Sequence, residues 1–225
     1  MKTTGPRILC RPHVRSVFLQ TFFVLVALNY PAARAATALP DLIINRPRLA
    51  RTITIEKKTF APDSCAVQEN CIVATGERRL LRFAVGFVNL GPGHLVIGRP
   101  EDNLELFQFS PCHGHYHFYG AATYVLRKPN GVKVGSSRKQ AFCLRDIVPY
   151  ASTAPARRFD CDYQGITRGW EDVYYRNLDC QWLDITGVPA GNYNLTVKVN
   201  PGRVLKESNY GNNSATVPVY IPPNN

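Results

Sequence analysis

Residues 189–202 read Pro-Ala-Gly-Asn-Tyr-Asn-Leu-Thr-Val-Lys-Val-Asn-Pro-Gly. Between Tyr193 and Val199 every second residue is apolar, with Asn194, Thr196 and Lys198 in the gaps. A period of two places the apolar set on one face of a strand. Gly and Pro at both ends mark turns. The same alternation recurs at Thr52–Lys57, Leu81–Val88, Ala122–Leu126 and Ala215–Ile221, with further turn signals at Gly91-Pro-Gly93 and Pro129-Asn-Gly131. No window of a dozen residues carries a helical period. The expected fold class is all-β, an antiparallel β-sandwich with long loops. The least periodic stretch, about Ser137 to Asp184, is rich in Cys, aromatics and charge, and long ordered loops are where function concentrates.

Composition narrows the classes. Of 225 residues, 45% are hydrophobic and only 19% charged, which excludes global disorder. There is no G-X-Y period, heptad or internal repeat. The formal charge of +11 is inflated by the N-terminus, where Lys2, Arg7, Arg11, Arg15 and Arg34 face no acid. These residues precede or follow an apolar run, Val17–Leu28, and Pro31-Ala-Ala-Arg-Ala-Ala36 offers a small-residue cleavage site. Residues 1–35 therefore read as a secretory signal peptide and 36–225 as one domain. The run is too short to span a bilayer comfortably. A secreted or extracytoplasmic location follows, with no membrane segment after signal removal. The remaining 22 basic and 16 acidic residues give about +6. No basic-aromatic stripe points to nucleic acid.

Export changes the meaning of cysteine. Cys65, Cys71, Cys112, Cys143, Cys161 and Cys180 remain after Cys10 leaves with the leader. An even set in an oxidising compartment implies three disulfides, and counting alone allows 15 connectivities. No C-x2-C pair supports a zinc-thiolate site. Three of the five histidines fall in Cys112-His-Gly-His-Tyr-His-Phe118. On an extended strand His113, His115 and His117 would project from one face and could converge on one metal if the strand twists or bends. Imidazole nitrogens suit Cu(II), Zn(II) or Ni(II). The plain alternative is a solvated histidine stripe on an edge strand. His94, in a Gly-Pro-Gly loop, reads as a surface residue.

From this motif outward the chain resembles the lysyl oxidase family. Cys-His-x-His-Tyr-His is similar to that family's copper motif. Ser64–Cys71 looks like its Cys-x5-Cys segment, and Lys139-Gln-Ala-Phe-Cys-Leu144 is similar to its Lys-Ala-Ser-Phe-Cys-Leu segment. Asp172-Val-Tyr174, Asp179-Cys-Gln-Trp182 and Asp184-Ile-Thr186 are close to its quinone-tyrosine region, and Glu207-Ser-Asn-Tyr-Gly-Asn-Asn213 completes the order. The likeness runs from about Leu39 to Ile221.

The resemblance implies copper-dependent oxidation of primary amines, including peptidyl lysine, with O2 as oxidant and release of an aldehyde, ammonia and hydrogen peroxide. It implies Cu(II) on His113, His115 and His117, and a lysyl tyrosylquinone made from Lys139 and Tyr174, with Asp172 as candidate base. The implied disulfides are Cys65–Cys112, Cys71–Cys180 and Cys143–Cys161. A calcium site is implied at Asp41, the Leu42 carbonyl, Asp160, Asp162, Glu207, Asn209, Asn212 and Asn213, whose oxygens suit a hard cation. Six cysteines stand where animal members carry ten; two of the missing positions are Pro149 and Trp170. The expectation is a minimal secreted member. Two readings compete with it: a non-catalytic sandwich used for adhesion, since Gly191–Asn213 also resembles bacterial cell-adhesion modules, and a copper carrier in which the quinone never forms.

Overall fold

The computed structural model describes Met1, residues 38–137 and residues 141–224. The signal-peptide reading and Lys139 fall outside the described residues. All that follows concerns the compact unit Ala36–Asn225. In chain order its elements are β1 (Leu42–Ile44), α1 (Arg46–Arg51), β2 (Thr54–Phe60), α2 (Cys65–Gln68), β3 (Gly76–Arg82), β4 (Val85–Asn89), β5 (Leu95–Gly98), β6 (Phe107–Ser110), β7 (His115–Tyr119), β8 (Ala122–Arg127), β9 (Lys133–Ser136), β10 (Ala141–Phe142), β11 (Val148–Pro149), β12 (Gln164–Ile166), β13 (Trp170–Tyr174), β14 (Trp182–Asp184), β15 (Gly191–Val199) and β16 (Ser214–Ile221). Every strand pairing among them is antiparallel.

One layer is the sheet β16-β15-β8-β9. Along β16, Ala215, Val217, Val219 and Ile221 are buried while the residues between them are exposed, as strict alternation requires. Pro218 is tolerated because β16 is an edge strand, where a missing N–H breaks no ladder. The opposing side is built from β1-β4-β13-β11 and β14-β3-β2. Inward residues of both sides, among them Leu42, Phe87, Leu81, Tyr124, Leu195 and Val217, merge in one core. A satellite core forms where Phe60, Ile72, Leu80 and Trp182 pack around Cys71 and Cys180.

One strand expectation is corrected. Leu81–Val88 is not a single strand: β3 ends at Arg82, β4 begins at Val85, and the two belong to different sheets. The alternation misleads because β4 is buried on both faces, so its pattern carries no outward side. The two short helices also escaped the periodic reading, being six and four residues long. Helix α1 is marked only by its ends. Asn45 caps it by accepting from the Arg48 N–H at 3.1 Å, and Pro47 occupies the first turn.

β4 and β13 carry the weight of the site. Their register opposes Asp172 to Phe87 and Tyr174 to Val85. Beside them, Glu171 is buried and held by Arg48 through two bonds of 2.7 and 2.8 Å, with Asn45 adding a third at 2.9 Å. A buried carboxylate is stable only when so satisfied. The room for it comes from Gly86, where a Cβ would lie 1.7 Å from Glu171 Oε1.

Candidate metal and quinone site

The histidine motif folds as a hairpin rather than one extended strand. β6 and β7 pair with Ser110 opposite His115, and the Ser110 carbonyl accepts from the N–H groups of His113 and Gly114. Gly114 makes the turn with φ of +68°, a conformation that favours glycine. His115 and His117 thus lie on β7, while His113 lies in the turn. Along a straight strand, alternate residues are separated by roughly 7 Å. His115 and His117 nevertheless turn their rings toward one another, and the turn brings the His113 ring beside them. The ring centroids are 4.8 Å apart for His115 and His117, 5.3 Å for His113 and His117, and 5.9 Å for His113 and His115. His115 and His117 face one another through Nε2 at 3.1 Å.

These rings open on a cleft of about 320 Å³ that Phe142, Arg145, Asp172 and Tyr174 also line. Tyr174 and Asp172, two apart on β13, point the same way. Both are buried, and the Tyr174 hydroxyl donates to the Asp172 carboxylate. Burial pushes the Asp172 carboxyl up to about 8; the bonds from Tyr174 and from the Arg145 backbone, with the Arg145 charge, oppose this only in part. Burial, and then the Asp172 charge, hold the Tyr174 phenol well above its usual value. Phe142 touches both halves of the cleft, with its ring 4.5 Å from that of Tyr174 and 6.4 Å from that of His117. It is placed there by β10, whose Phe142 pairs with Phe118 of β7.

The disulfide pairs are those the resemblance implied. Cys65 joins Cys112, Cys71 joins Cys180 and Cys143 joins Cys161, with Cα separations of 5.7, 5.2 and 5.3 Å. Each touches the site. The first ties α2 to the histidine turn, and residues of the other two line the cleft. Glu69 also lines it, close to Cys71 and Cys180. Those two sulfurs are bonded to each other and offer no thiolate. His94 takes no part in the cleft lining; its Nδ1 accepts from the Arg168 N–H at 3.2 Å, and burial and then the charges of Arg158 and Arg168 lower its basicity.

The proposed calcium residues divide. Asp41, Leu42, Glu207, Asn212 and Asn213 come together. Asn212 Nδ2 donates to Asp41 at 3.0 Å, the Leu42 N–H to Glu207 at 2.9 Å, and Asn200 and Asn213 to the other Glu207 oxygen at 2.6 Å each. With both amides oriented by these bonds, Asn212 Oδ1 and Asn213 Oδ1 are left buried without a hydrogen-bond partner. Two orphaned acceptors beside an aspartate suit a cation. Glu207, by contrast, is already satisfied by three donors, and Asn209 accepts from the Gly211 N–H within its own turn. Asp160 and Asp162 do not join the group through any contact among the described residues. They flank Cys161, and Asp160 accepts from the N–H groups of Asp162 and Tyr163 as a turn-forming carboxylate.

The sequence reading gave no role to Glu69, Phe142 or Arg145, although Glu69 lies inside the Cys-x5-Cys segment and Phe142 inside the Lys139–Leu144 segment.

Comparison with known proteins finds several relatives. The chain is 37% identical over 186 residues to lysyl oxidase homolog 2 of Gallus gallus, covering 77% of this chain and 23% of that protein. Lysyl oxidase homolog 3A of Danio rerio and homolog 3 of Homo sapiens match at 37%, again over 77% of this chain and 24% of theirs. The chain thus spans about a quarter of the length of these relatives. A solved CARDB domain from Pyrococcus furiosus aligns at a TM-score of 0.34 and 14% identity, covering 84% of this chain and 99% of that one, a likeness too low to carry an argument. The profile of the lysyl oxidase family matches residues 40–222, nearly all of the described chain, and the chain belongs to that family.

Proposed function

We propose that the chain is a secreted copper-dependent amine oxidase that deaminates peptidyl lysine or other primary amines. The observation that carries this reading is the single cleft shared by the imidazoles of His113, His115 and His117 and the buried Tyr174–Asp172 pair. The overall reaction takes an alkylammonium, O2 and water to an aldehyde, ammonium and hydrogen peroxide. Copper held by the three imidazoles, with a quinone derived from Tyr174 and Lys139, would supply the redox chemistry and the electron sink.

The chain's own groups have defined tasks. Three imidazoles on a disulfide-braced turn form a nitrogen set suited to Cu(II). Asp172, its basicity raised by burial, takes the proton from the substrate carbon that bears nitrogen. Phe142 covers the Tyr174 ring and keeps water from its face. The Asp41, Asn212 and Asn213 oxygens would hold calcium in a structural role, joining β1 to the turn before β16. Among the described residues, no helix is long and apolar enough to cross a membrane.

The test is peroxide release from a primary amine by the copper-loaded protein, compared with Tyr174→Phe. Release by the wild type alone supports the oxidase; equal release by both removes Tyr174 from the chemistry. Copper binding with no release from either favours a carrier.

A further inference from the structure

Glu69 follows the last residue of α2, and the chain on both sides of it is tied down, Cys65 to Cys112 and Cys71 to Cys180. Its side chain is only 8% exposed. One carboxylate oxygen accepts from Ser110 Oγ, and Ser110 is the register partner of His115 in the β6–β7 hairpin. The other oxygen, Oε2, lies 3.4 Å from His113 Nε2. The carboxylate is therefore fixed by the same hairpin that carries the three imidazoles.

Two of the donor separations match those of atoms that share one metal, and all four side chains line the same cleft. Donors bound to one metal at about 2.0–2.1 Å stand roughly 2.9 Å apart across a square corner and roughly 3.4 Å apart along a tetrahedral edge. The His115–His117 separation of 3.1 Å and the His113–Glu69 separation of 3.4 Å both lie in that range. In each contact the imidazole atom is Nε2. Among the neighbouring groups, the Cys71 and Cys180 sulfurs are spent on their disulfide and Asp179 pairs with Lys58 at 3.2 Å.

We propose that the Glu69 carboxylate completes the copper site as an oxygen donor, giving three imidazole nitrogens and one anionic oxygen; this rests on the copper reading of the histidine triplet. Mixed nitrogen and oxygen donors suit Cu(II). The carboxylate also offsets one of the two positive charges that neutral imidazoles leave on the ion.

The test uses the secreted protein, stripped and reloaded with Cu(II), and reads its electron paramagnetic resonance spectrum and its copper affinity by competition with a chelator. Wild type, Glu69→Gln, Glu69→Ala and Asp179→Asn are compared, with a copper-free melt to establish folding. Glu69→Gln keeps the length and the acceptor for Ser110, so it decides the matter if Glu69→Ala misfolds. The expected result is a spectrum altered in its parallel hyperfine splitting and an affinity weakened at least ~10-fold in both Glu69 variants, with Asp179→Asn unchanged. A Glu69→Gln spectrum and affinity equal to wild type would overturn the fourth donor while leaving the triplet intact. A wild type that shows no nitrogen-bound Cu(II) would overturn the copper reading itself, and the fourth donor with it.

Discussion

The Tyr174 hydroxyl donates to the carboxylate of Asp172, its neighbour two residues back on β13, and both side chains are buried. A strand places such residues on one face, so the pair is a direct product of the Asp-Val-Tyr spacing. The apolar surroundings raise the Asp172 carboxyl to about 8. The sign of its effect on folding follows. The native state holds this proton to higher pH than the unfolded chain does, so stability falls as pH rises from about 4 to about 8. In the copper-free protein, Asp172→Asn should flatten that part of the stability curve, measured by denaturant unfolding. An unchanged slope would mean that Asp172 is solvated. For the proposed oxidase the same group should give kcat/KM an ascending limb, absent from the residual rate of Asp172→Asn.

Gly86 and Glu171 set the position of β13. Gly86→Ala would drive a methyl group onto the Glu171 carboxylate and break its pairing with Arg48. Loss of a buried pair costs about 3–5 kcal/mol, and the melting temperature should drop by roughly 10 °C for a domain of this size. A melting point within about 2 °C of wild type would contradict the packing described for β4 and β13.

Copper should depend on the hairpin histidines and not on His94. His115→Ala leaves one imidazole on β7 and one in the turn, and should retain little copper after dialysis, read by metal analysis. His94→Ala should retain as much as wild type. Full copper in His115→Ala would show that the triplet is not the site.

Calcium is tested by linkage. A cation bound only to the native state raises the melting temperature in proportion to its occupancy. A calcium-selective chelator should lower the melting point of wild type, and Asp41→Asn should abolish that response. No chelator effect on wild type would leave Asn212 and Asn213 without the cation assigned to them.

The strands that face water on one side were legible in the sequence, because Tyr193–Val199 and Ala215–Ile221 keep the period of two along their whole length. Strands buried on both faces were not, and Leu81–Val88 was read across a sheet boundary for that reason. The histidine triplet was legible as a metal candidate, but its geometry was not. The turn at Gly114 brings His113 to the pair on β7, and a strand pattern cannot report it. Glu69 was hidden more deeply still, since a lone carboxylate in a cysteine loop acquires meaning only when Cys65–Cys112 and Cys71–Cys180 bring it to the hairpin.

The central claim is that Tyr174 and Lys139 become one cofactor in this chain. Peptide mass mapping of the secreted protein, loaded with copper in air and treated with phenylhydrazine, tests it most directly. The account predicts a crosslinked species joining the Lys139 and Tyr174 peptides, carrying the hydrazine adduct, and missing from both Tyr174→Phe and Lys139→Ala. Recovery of both peptides unlinked and unmodified from copper-loaded wild type would contradict it.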